Sequence, residues 1–339
     1  MSVSTLGVDL AKTSFSIHGV DARGKVQLRK NLNRSKLLDC IANLPPCLIG
    51  LEACSGAHYW AREFQKQGHQ VRIMAPKYVI PYRTGAKNDG NDADAICEAV
   101  SRPRTRFVPT KSAEQQAVLA AHRIRKGWVK ERTALINQIR GLMAEFGIVI
   151  AQGRWSLQRE LPRILEDAEN ELPTIARALL HECYEHLQVL NQRIDDLERC
   201  FDIVAEHSET VQRLMTIPGV GAQTATAIVA SVGKGQQFDK ARDFAAWLGL
   251  VPRQYTTGGK PRLGRITKRG DTYLRTLLVH GTRAVLARVA DKQDRLSEWS
   301  KGVIERRGYK RATVALAAKN ARIIWAMLRS GKEYEAFAV

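Results

Sequence analysis

The order of short apolar strands and helices in the first third of the chain constrains the fold most. Residues 5–10 form a short apolar run, and residues 14–20 and 25–29 alternate apolar and polar side chains as strands do. A helix and then a strand–helix–strand unit are predicted at 35–44, 47–53, 58–67 and 71–74. Strands followed by helices predict an α/β sheet, and the first three strands predict an antiparallel meander along one side of it.

A cluster of acidic residues follows this pattern, in the stretch Lys87–Ala95. If a helix begins near Asp89, that residue and Asp92 share one face of it, whereas Asp94 points elsewhere. Two carboxylates on one face repel each other unless a proton or a divalent cation lies between them. Helix capping is the simpler interpretation, because Asp and Asn are favoured at helix N-termini.

Two further acids stand where predicted strands end. Asp9 closes the first strand and Glu52 closes the fourth. In an open α/β sheet such strand ends form the ligand crevice, although a single acid there can equally be a turn residue. Together the four acids match an RNase-H-like site, in which carboxylates hold two divalent metals next to a phosphodiester. Oxygen ligands alone favour Mg²⁺ or Mn²⁺ over zinc. The predicted ligands are Asp9, Glu52, Asp89 and Asp92.

The overall charge predicts a polyanionic partner. The 339 residues contain 53 Lys and Arg against 34 Asp and Glu, a formal net charge of +19 that is spread along the chain. We expect no secretion signal and no membrane span, because neither a suitable N-terminus nor a long apolar run is visible. The six cysteines lack the spacing of zinc or redox motifs and predict reduced thiols. We expect a cytoplasmic, nucleoid-associated protein.

Two long helices are predicted in the middle of the chain. The first runs from Glu114 to about Phe146 and has a strongly basic surface. The second places apolar residues alternately three and four apart, which is the seam of a coiled coil. Its seam residues are Leu187, Leu190, Ile194, Leu197, Phe201 and Val204. We expect the two helices to pair, either within the chain or between chains.

The last third contains a turn that resembles a helix–hairpin–helix. The turn Ile217–Gly221 separates a preceding helix from a helix predicted over Ala222–Val232. Such a turn can present backbone N–H groups to a DNA phosphate, or it can be a structural corner between two helices.

A basic segment at 251–271 is predicted to be a loop, because it is rich in glycine and proline. Its cations are Arg253, Lys260, Arg262, Arg265, Lys268 and Arg269. The hydroxyl of Thr256 or Thr257, flanked by glycines and cations, can attack a phosphate as a nucleophile. The alternative interpretation is a loop that only contacts DNA.

These motifs resemble the DEDD transposases of bacterial insertion sequences, the family described as bridge-RNA-guided recombinases. The resemblance covers nearly the whole chain and is carried by the segments 7–12, 50–53, 87–93, 135–142, 217–221 and 257–260. It implies an RNase-H-like α/β catalytic domain over 1–112 that is similar to Holliday-junction resolvases. It also implies a coiled-coil linker over 113–208 and a mainly helical transposase domain over 209–339, with the helix–hairpin–helix-like element and the nucleophile loop.

The resemblance also implies roles for residues and partners. The four acids would be the metal ligands and catalytic residues of the family. The nucleophile of the family is usually a serine that forms a covalent phosphoserine link to DNA, and the matching position here is Thr257, with Thr256 adjacent. The implied partners are donor and target DNA, a structured guide RNA, and further copies of the chain in a dimer or tetramer. The composite site would join the acids of one subunit to the hydroxyl of another.

Three functions from different classes follow. The first is an RNA-guided transposase that cuts and rejoins DNA through a metal-assisted covalent intermediate. The second is a metal-dependent nuclease or junction resolvase that uses water as the nucleophile. The third is a nucleic-acid-binding scaffold whose carboxylates only cap helices and pair with cations.

Overall fold

The protein is described by a computed structural model that covers residues 2–86 and 88–335. Lys87, the first residue of the predicted acidic stretch, lies outside the described residues. The chain divides into two compact units. Unit 1 contains Met1–Gln116 and Ser231–Asp243, and unit 2 contains Ala117–Ala230 and Phe244–Val339.

A mixed sheet forms the centre of unit 1. Its strands are β1 (Thr5–Leu10), β2 (Ser14–Val20), β3 (Val26–Asn33), β4 (Leu48–Glu52), β5 (Gln70–Met74) and β6 (Phe107–Val108). The strand order is β3-β2-β1-β4-β5-β6. Strands β1, β4 and β5 are parallel neighbours, whereas β2, β3 and β6 pair antiparallel. The predicted α/β sheet with a meander on one side is therefore confirmed, and β6 is a short edge strand that the sequence pattern did not indicate.

Helices cover both faces of this sheet. They are α1 (Arg34–Ala42), α2 (Ala57–Lys66), α3 (Pro76–Val79) and α4 (Asp89–Val100), with a 3-10 turn at Ile80–Tyr82. On one face, Leu6 and Val8 are buried in a core with Phe64 of α2. On the other face α4 packs directly on the backbone, because a Cβ atom at Gly7 would lie 2.1 Å from the carbonyl oxygen of Ala93. Side chains alternate between the faces of a strand, so the odd positions of β1 face α4.

The remainder of the chain is mostly helical. Its elements are α5 (Ala113–Glu145), α6 (Arg154–Glu166), α7 (Thr174–Glu206), α8 (Glu209–Met215), α9 (Ala222–Val232), α10 (Ala241–Trp247), β7 (Pro252–Thr257), β8 (Lys260–Ile266), α11 (Thr272–Leu286), α12 (Arg295–Arg307) and α13 (Tyr309–Ser330). Arg125 pairs with Glu198, and Oε1 of Glu131 lies 3.1 Å from Nε2 of His186. Because the residue numbers rise along α5 while those of their partners fall along α7, the two helices lie antiparallel. The two predicted long helices thus contact each other within the chain.

The two helices predicted on either side of the Ile217–Gly221 turn are present as α8 and α9, and the turn packs against other helices of unit 2. A Cβ atom at Gly281 of α11 would lie 1.8 Å from the carbonyl oxygen of Gly219. The carbonyl oxygen of Pro218 accepts a hydrogen bond of 2.8 Å from Nδ2 of Asn320 in α13. These contacts favour the interpretation of the turn as a structural corner between helices.

The prediction of a loop at 251–271 is wrong over most of its length. Strands β7 and β8 form an antiparallel hairpin in which Thr257 pairs with Lys260. Gly258 and Gly259 close it as a two-residue turn with φ angles of 57° and 74°. Consecutive positive φ angles give the turn the twist that tight hairpins require, and glycine adopts them without strain. The glycines therefore mark a hairpin turn, not an irregular loop.

Candidate active site

The first turn of α4 brings two of the predicted acids to one face. Its N-cap is Asn88, whose Oδ1 accepts a hydrogen bond of 2.8 Å from the backbone N–H of Asn91. Asp89 is the first residue of α4, and Asp92 follows one turn later. The capping oxygen thus belongs to Asn88 and to neither aspartate. Capping alone does not account for the two acids.

The strand acids face the same helix. Gly7 of β1 is paired with Gly50 of β4 in the parallel ladder, and both glycines lie against α4. Asp9 and Glu52 stand two residues further along the same strands, so that their side chains leave the sheet on the face that α4 covers. The glycines allow the helix to approach, and the acids then lie beside its N-terminal turn.

The other three acids act electrostatically on Asp9. Its pKa is raised to about 6, first by burial and then by the negative charges of Asp92, Asp89 and Glu52. Each of these charges disfavours a further negative charge on Asp9. A mutually repelling group of carboxylates is the environment that a divalent cation stabilises.

The donor set fits Mg²⁺ or Mn²⁺, because all four predicted ligands are carboxylates and hard cations prefer oxygen. Within residues 2–86 and 88–335, however, no three Asp, Glu, His or Cys side chains form a ready-made metal site. One reason is visible at Asp92, whose Oδ1 accepts a hydrogen bond of 3.3 Å from Nη1 of Arg83. The Arg83 guanidinium therefore supplies the positive charge next to Asp92.

The hairpin carries the predicted nucleophile in unit 2. Residues directly opposite each other in an antiparallel ladder share a face. Thr257 pairs with Lys260 and Tyr255 with Arg262, so these four side chains lie on one face of the hairpin. The Thr257 hydroxyl is exposed there beside two cations.

Thr256 lies on the other face of the hairpin. It pairs with Pro261, and its Oγ1 accepts a hydrogen bond of 3.0 Å from Nε2 of Gln254. Gln254 pairs in turn with Leu263. This face has an amide and two apolar side chains, and it is less suited to a phosphate than the face that carries Thr257.

Comparisons with known proteins identify the family. The description "Transposase IS116/IS110/IS902 family" matches residues 211–298, and the DEDD transposase description for the IS110 group matches residues 6–148. A "Probable family 20 transposase" from Pseudomonas aeruginosa is 50% identical over 329 residues, which cover 97% of both chains. The chain belongs to the IS116/IS110/IS902 transposase family.

Two other relatives extend the similarity across nearly the whole transposase. The transposase for insertion sequence element IS1111A from Coxiella burnetii is 45% identical over 98% of this chain and 91% of its own length. The transposase for IS1328 from Yersinia enterocolitica is 41% identical over 97% of this chain and 98% of its own. The predicted resemblance to insertion-sequence transposases is thereby confirmed.

The two parts of the candidate site fall in the two matched regions of the transposase. The four acids lie within residues 6–148, and the hairpin lies within residues 211–298. The acids belong to unit 1, whereas Thr256, Thr257 and the basic residues belong to unit 2. Those basic residues all have exposed side chains: Arg253, Lys260, Arg262, Arg265, Lys268 and Arg269.

The segment after the hairpin is fixed to α10 and α11 of the transposase. Arg275 is buried and donates from Nη1 to the carbonyl oxygen of Leu248 at 2.8 Å. A Cβ atom at Gly270 would lie 1.7 Å from the carbonyl oxygen of Trp247, so this close approach requires glycine. Lys268 has a φ of 54°, which is unusual for a residue other than glycine. The base of the hairpin is thus held firmly, while its tip is exposed.

Sequence reasoning missed two contacts of the acidic helix in the transposase. Arg83 was not singled out, because no spacing rule connects a residue before a helix to an acid in its first turn. Asp94 was expected to point away from Asp89 and Asp92, and its Oδ1 lies 3.5 Å from Nε2 of buried His18 in β2. The alternating pattern of β2 could place His18 inside the sheet but could not identify its partner.

Among the described residues of the transposase, every helix is too short or too polar to cross a lipid bilayer.

Proposed function

We propose that this transposase cuts and rejoins DNA by attack of the Thr257 hydroxyl on a phosphodiester, assisted by metal ions that the four acids would hold. The placement of the acids carries the proposal: Asp9 and Glu52 leave β1 and β4 on the face covered by α4, whose first turn bears Asp89 and Asp92. Burial, and then the charges of Asp92, Asp89 and Glu52, raise the pKa of Asp9. Membership of a transposase family supports the DNA substrate.

Asp9, Glu52, Asp89 and Asp92 would hold two Mg²⁺ or Mn²⁺ ions. When bound, such ions polarise the phosphodiester and stabilise the attacking and leaving oxygens. Without a cation the carboxylates repel the phosphate, because both are negatively charged. The exposed lysines and arginines supply affinity that depends on salt concentration.

Thr257 is the better nucleophile of the two threonines, because it shares its face of the hairpin with Lys260 and Arg262. Its Oγ forms a bond to phosphorus while the bond from phosphorus to the leaving strand breaks. The hydroxyl proton is released, and the leaving oxygen takes up a proton. The product is a phosphothreonine link that a second strand's hydroxyl can attack to rejoin the DNA.

The test is to trap protein–DNA adducts with the wild type and three variants. We expect Thr257→Ala to abolish the adduct, Thr257→Ser to retain it, and Thr256→Ala to reduce it only slightly. A primary alcohol is less hindered, so the serine variant should react at least as fast. An adduct that survives Thr257→Ala would contradict the assignment.

The same experiment, with Asp9→Asn added, separates the alternative function, a metal-dependent nuclease or junction resolvase that uses water. In that case strands are cut without any adduct, Asp9→Asn abolishes cleavage, and neither threonine matters. Mg²⁺-independent binding with no strand cleavage on any junction would instead indicate a scaffold.

We also propose a structured guide RNA and a homo-oligomer as partners. The net charge of +19 supports a second polyanion besides DNA. Copurification from the native host, followed by sequencing of bound small RNA, tests the first partner. Sedimentation of the purified complex tests the second.

A further inference from the structure

A groove lies at the β6 edge of the sheet in unit 1, separate from the acids in the strand order. It has a volume of about 750 Å³. In the sheet, β5 stands between β6 and β4, and β4 carries Glu52. Strand β6 pairs only with Ile73 and Met74 of β5, so the earlier part of β5 borders the groove. We call this cavity the β6 groove, and its principal polar residues are Arg62, Arg72, Arg106, Lys111, Gln236 and Gln237.

The charge of the β6 groove is strongly positive. Four of its lining residues are Lys or Arg, and Asp239 is the one acid among the described residues that line it. Among the described residues, Arg72 and Arg106 make no salt bridge, although many other cations of the chain pair with acids. An unneutralised cluster of cations in a concave surface attracts a polyanion.

Several contacts hold the cations in place. Arg62 donates from Nη1 to the carbonyl oxygen of Lys111 at 2.6 Å. Nζ of Lys111 lies 3.1 Å from Nε2 of His58. The guanidinium of Arg72 lies 4.8 Å from the centre of the Phe107 ring. The ring orders Arg72 without cancelling its charge, so less entropy is lost when a ligand binds.

We propose that the β6 groove binds a nucleic-acid strand, with Arg72 and Arg106 on its phosphates. This inference rests on the proposed function, which supplies DNA and RNA as the polyanions. The strand would be a second point of attachment, independent of the chemistry at the acids and at Thr257. A strand of DNA and a strand of RNA share this backbone chemistry. The 2′-hydroxyl is the donor that distinguishes RNA.

The test is the affinity of the full chain for fluorescein-labelled single strands of one sequence, made as DNA and as RNA. Anisotropy is measured in EDTA at several salt concentrations, so that no cleavage occurs. We expect Arg72→Gln with Arg106→Gln to weaken binding roughly tenfold or more and to reduce the salt slope by about 1.4. A larger loss for RNA than for DNA identifies RNA as the occupant, and the reverse identifies DNA.

The matched control is Arg23→Gln with Lys25→Gln, which removes the same charge from an exposed turn of unit 1. We expect this control to bind like the wild type. Arg106→Gln alone, at an exposed position, should show about half of the change in slope even if the double variant folds poorly. If the groove variants bind both strands as tightly as the control, the proposal is wrong. Because binding is read without cleavage, this result is distinct from a failure to find the Thr257 adduct.

Discussion

Arg83 donates a hydrogen bond of 3.3 Å from its Nη1 to Oδ1 of Asp92, one of the four convergent acids. Both side chains are partly buried, with 28% and 20% of their surface exposed. An ion pair of this kind is screened less than one at the surface. Arg83 therefore competes directly with any divalent cation for the Asp92 carboxylate.

Replacing Arg83 should increase the affinity of the transposase for divalent cations. We expect Arg83→Gln to bind Mn²⁺ roughly 3- to 10-fold more tightly, because a nearby positive charge is removed and Asp92 becomes available. Titration of Mn²⁺ by electron paramagnetic resonance measures the effect. Arg102→Gln is the matched control, since Arg102 pairs with Glu98 near the other end of α4. Equal Mn²⁺ affinity in both variants would rule out the competition.

Asp92 and Asp94 should differ sharply, although they are two residues apart in one helix. We expect Asp92→Asn to slow strand cleavage roughly 100- to 1000-fold, because it removes one of the converging charges. Asp94→Asn should retain most activity, since Asp94 is paired with His18 and not with the other acids. Cleavage of a labelled DNA junction in Mg²⁺ measures both. A similar loss in the two variants would show that helix stability, and not ligand position, decides the effect.

Gly7 should be essential for the position of α4. We expect Gly7→Ala to destabilise unit 1 by roughly 2–3 kcal/mol and to abolish cleavage, because the added methyl group collides with Ala93. Gly141→Ala in α5 is the control, since no described atom lies within 4 Å of its added Cβ. That change should stabilise the helix by about 0.5–1 kcal/mol. Thermal unfolding measures both changes, and unchanged stability of Gly7→Ala would refute the packing argument.

A buried histidine should make unit 2 sensitive to acid. The ring of His122 stacks on Phe201 at 4.0 Å, and its nitrogens lie 3.0 Å from the Tyr273 hydroxyl and 3.1 Å from Oγ1 of Thr226. Burial, and to a lesser extent the charge of Arg125, lowers the pKa of His122 to about 4. The unfolded chain therefore binds a proton that the folded chain does not, between pH 6.5 and about 4.

Stability should consequently fall as the pH falls through this range, by up to about 3 kcal/mol. Urea unfolding at pH 7.5, 5.5 and 4.5 measures the change in the free energy of unfolding. His122→Gln should flatten this dependence, whereas His181→Gln, at an exposed position, should leave it unchanged. If wild type and His122→Gln lose stability in parallel, His122 does not titrate in this range.

Much of unit 1 could be predicted from the sequence, because local patterns determine it. The acids at strand ends and the acids three apart on α4 follow from the periodicity of strands and helices, and β1, β4 and α4 are present where the pattern predicts them. Long-range contacts were inaccessible to this reasoning. Arg83 reaches Asp92 from an irregular segment, and β6 is two residues long.

The hairpin was mistaken for a loop for a related reason. Its positions alternate poorly in hydrophobicity because neither face is buried, and every residue of β7 is exposed. The two glycines were the available signal. With the hairpin recognised, the register alone separates Thr257 from Thr256.

The exposure of the whole β7 strand has a consequence for turnover. A two-stranded hairpin without a buried face is only marginally stable in water, so Thr257 gains little rigidity from its own strands. In the proposed mechanism, DNA that contacts Thr257 would have to order the tip, and the entropy lost in doing so would lower the net affinity at that point. Exchanged strands would then be released more readily than from a rigid arm.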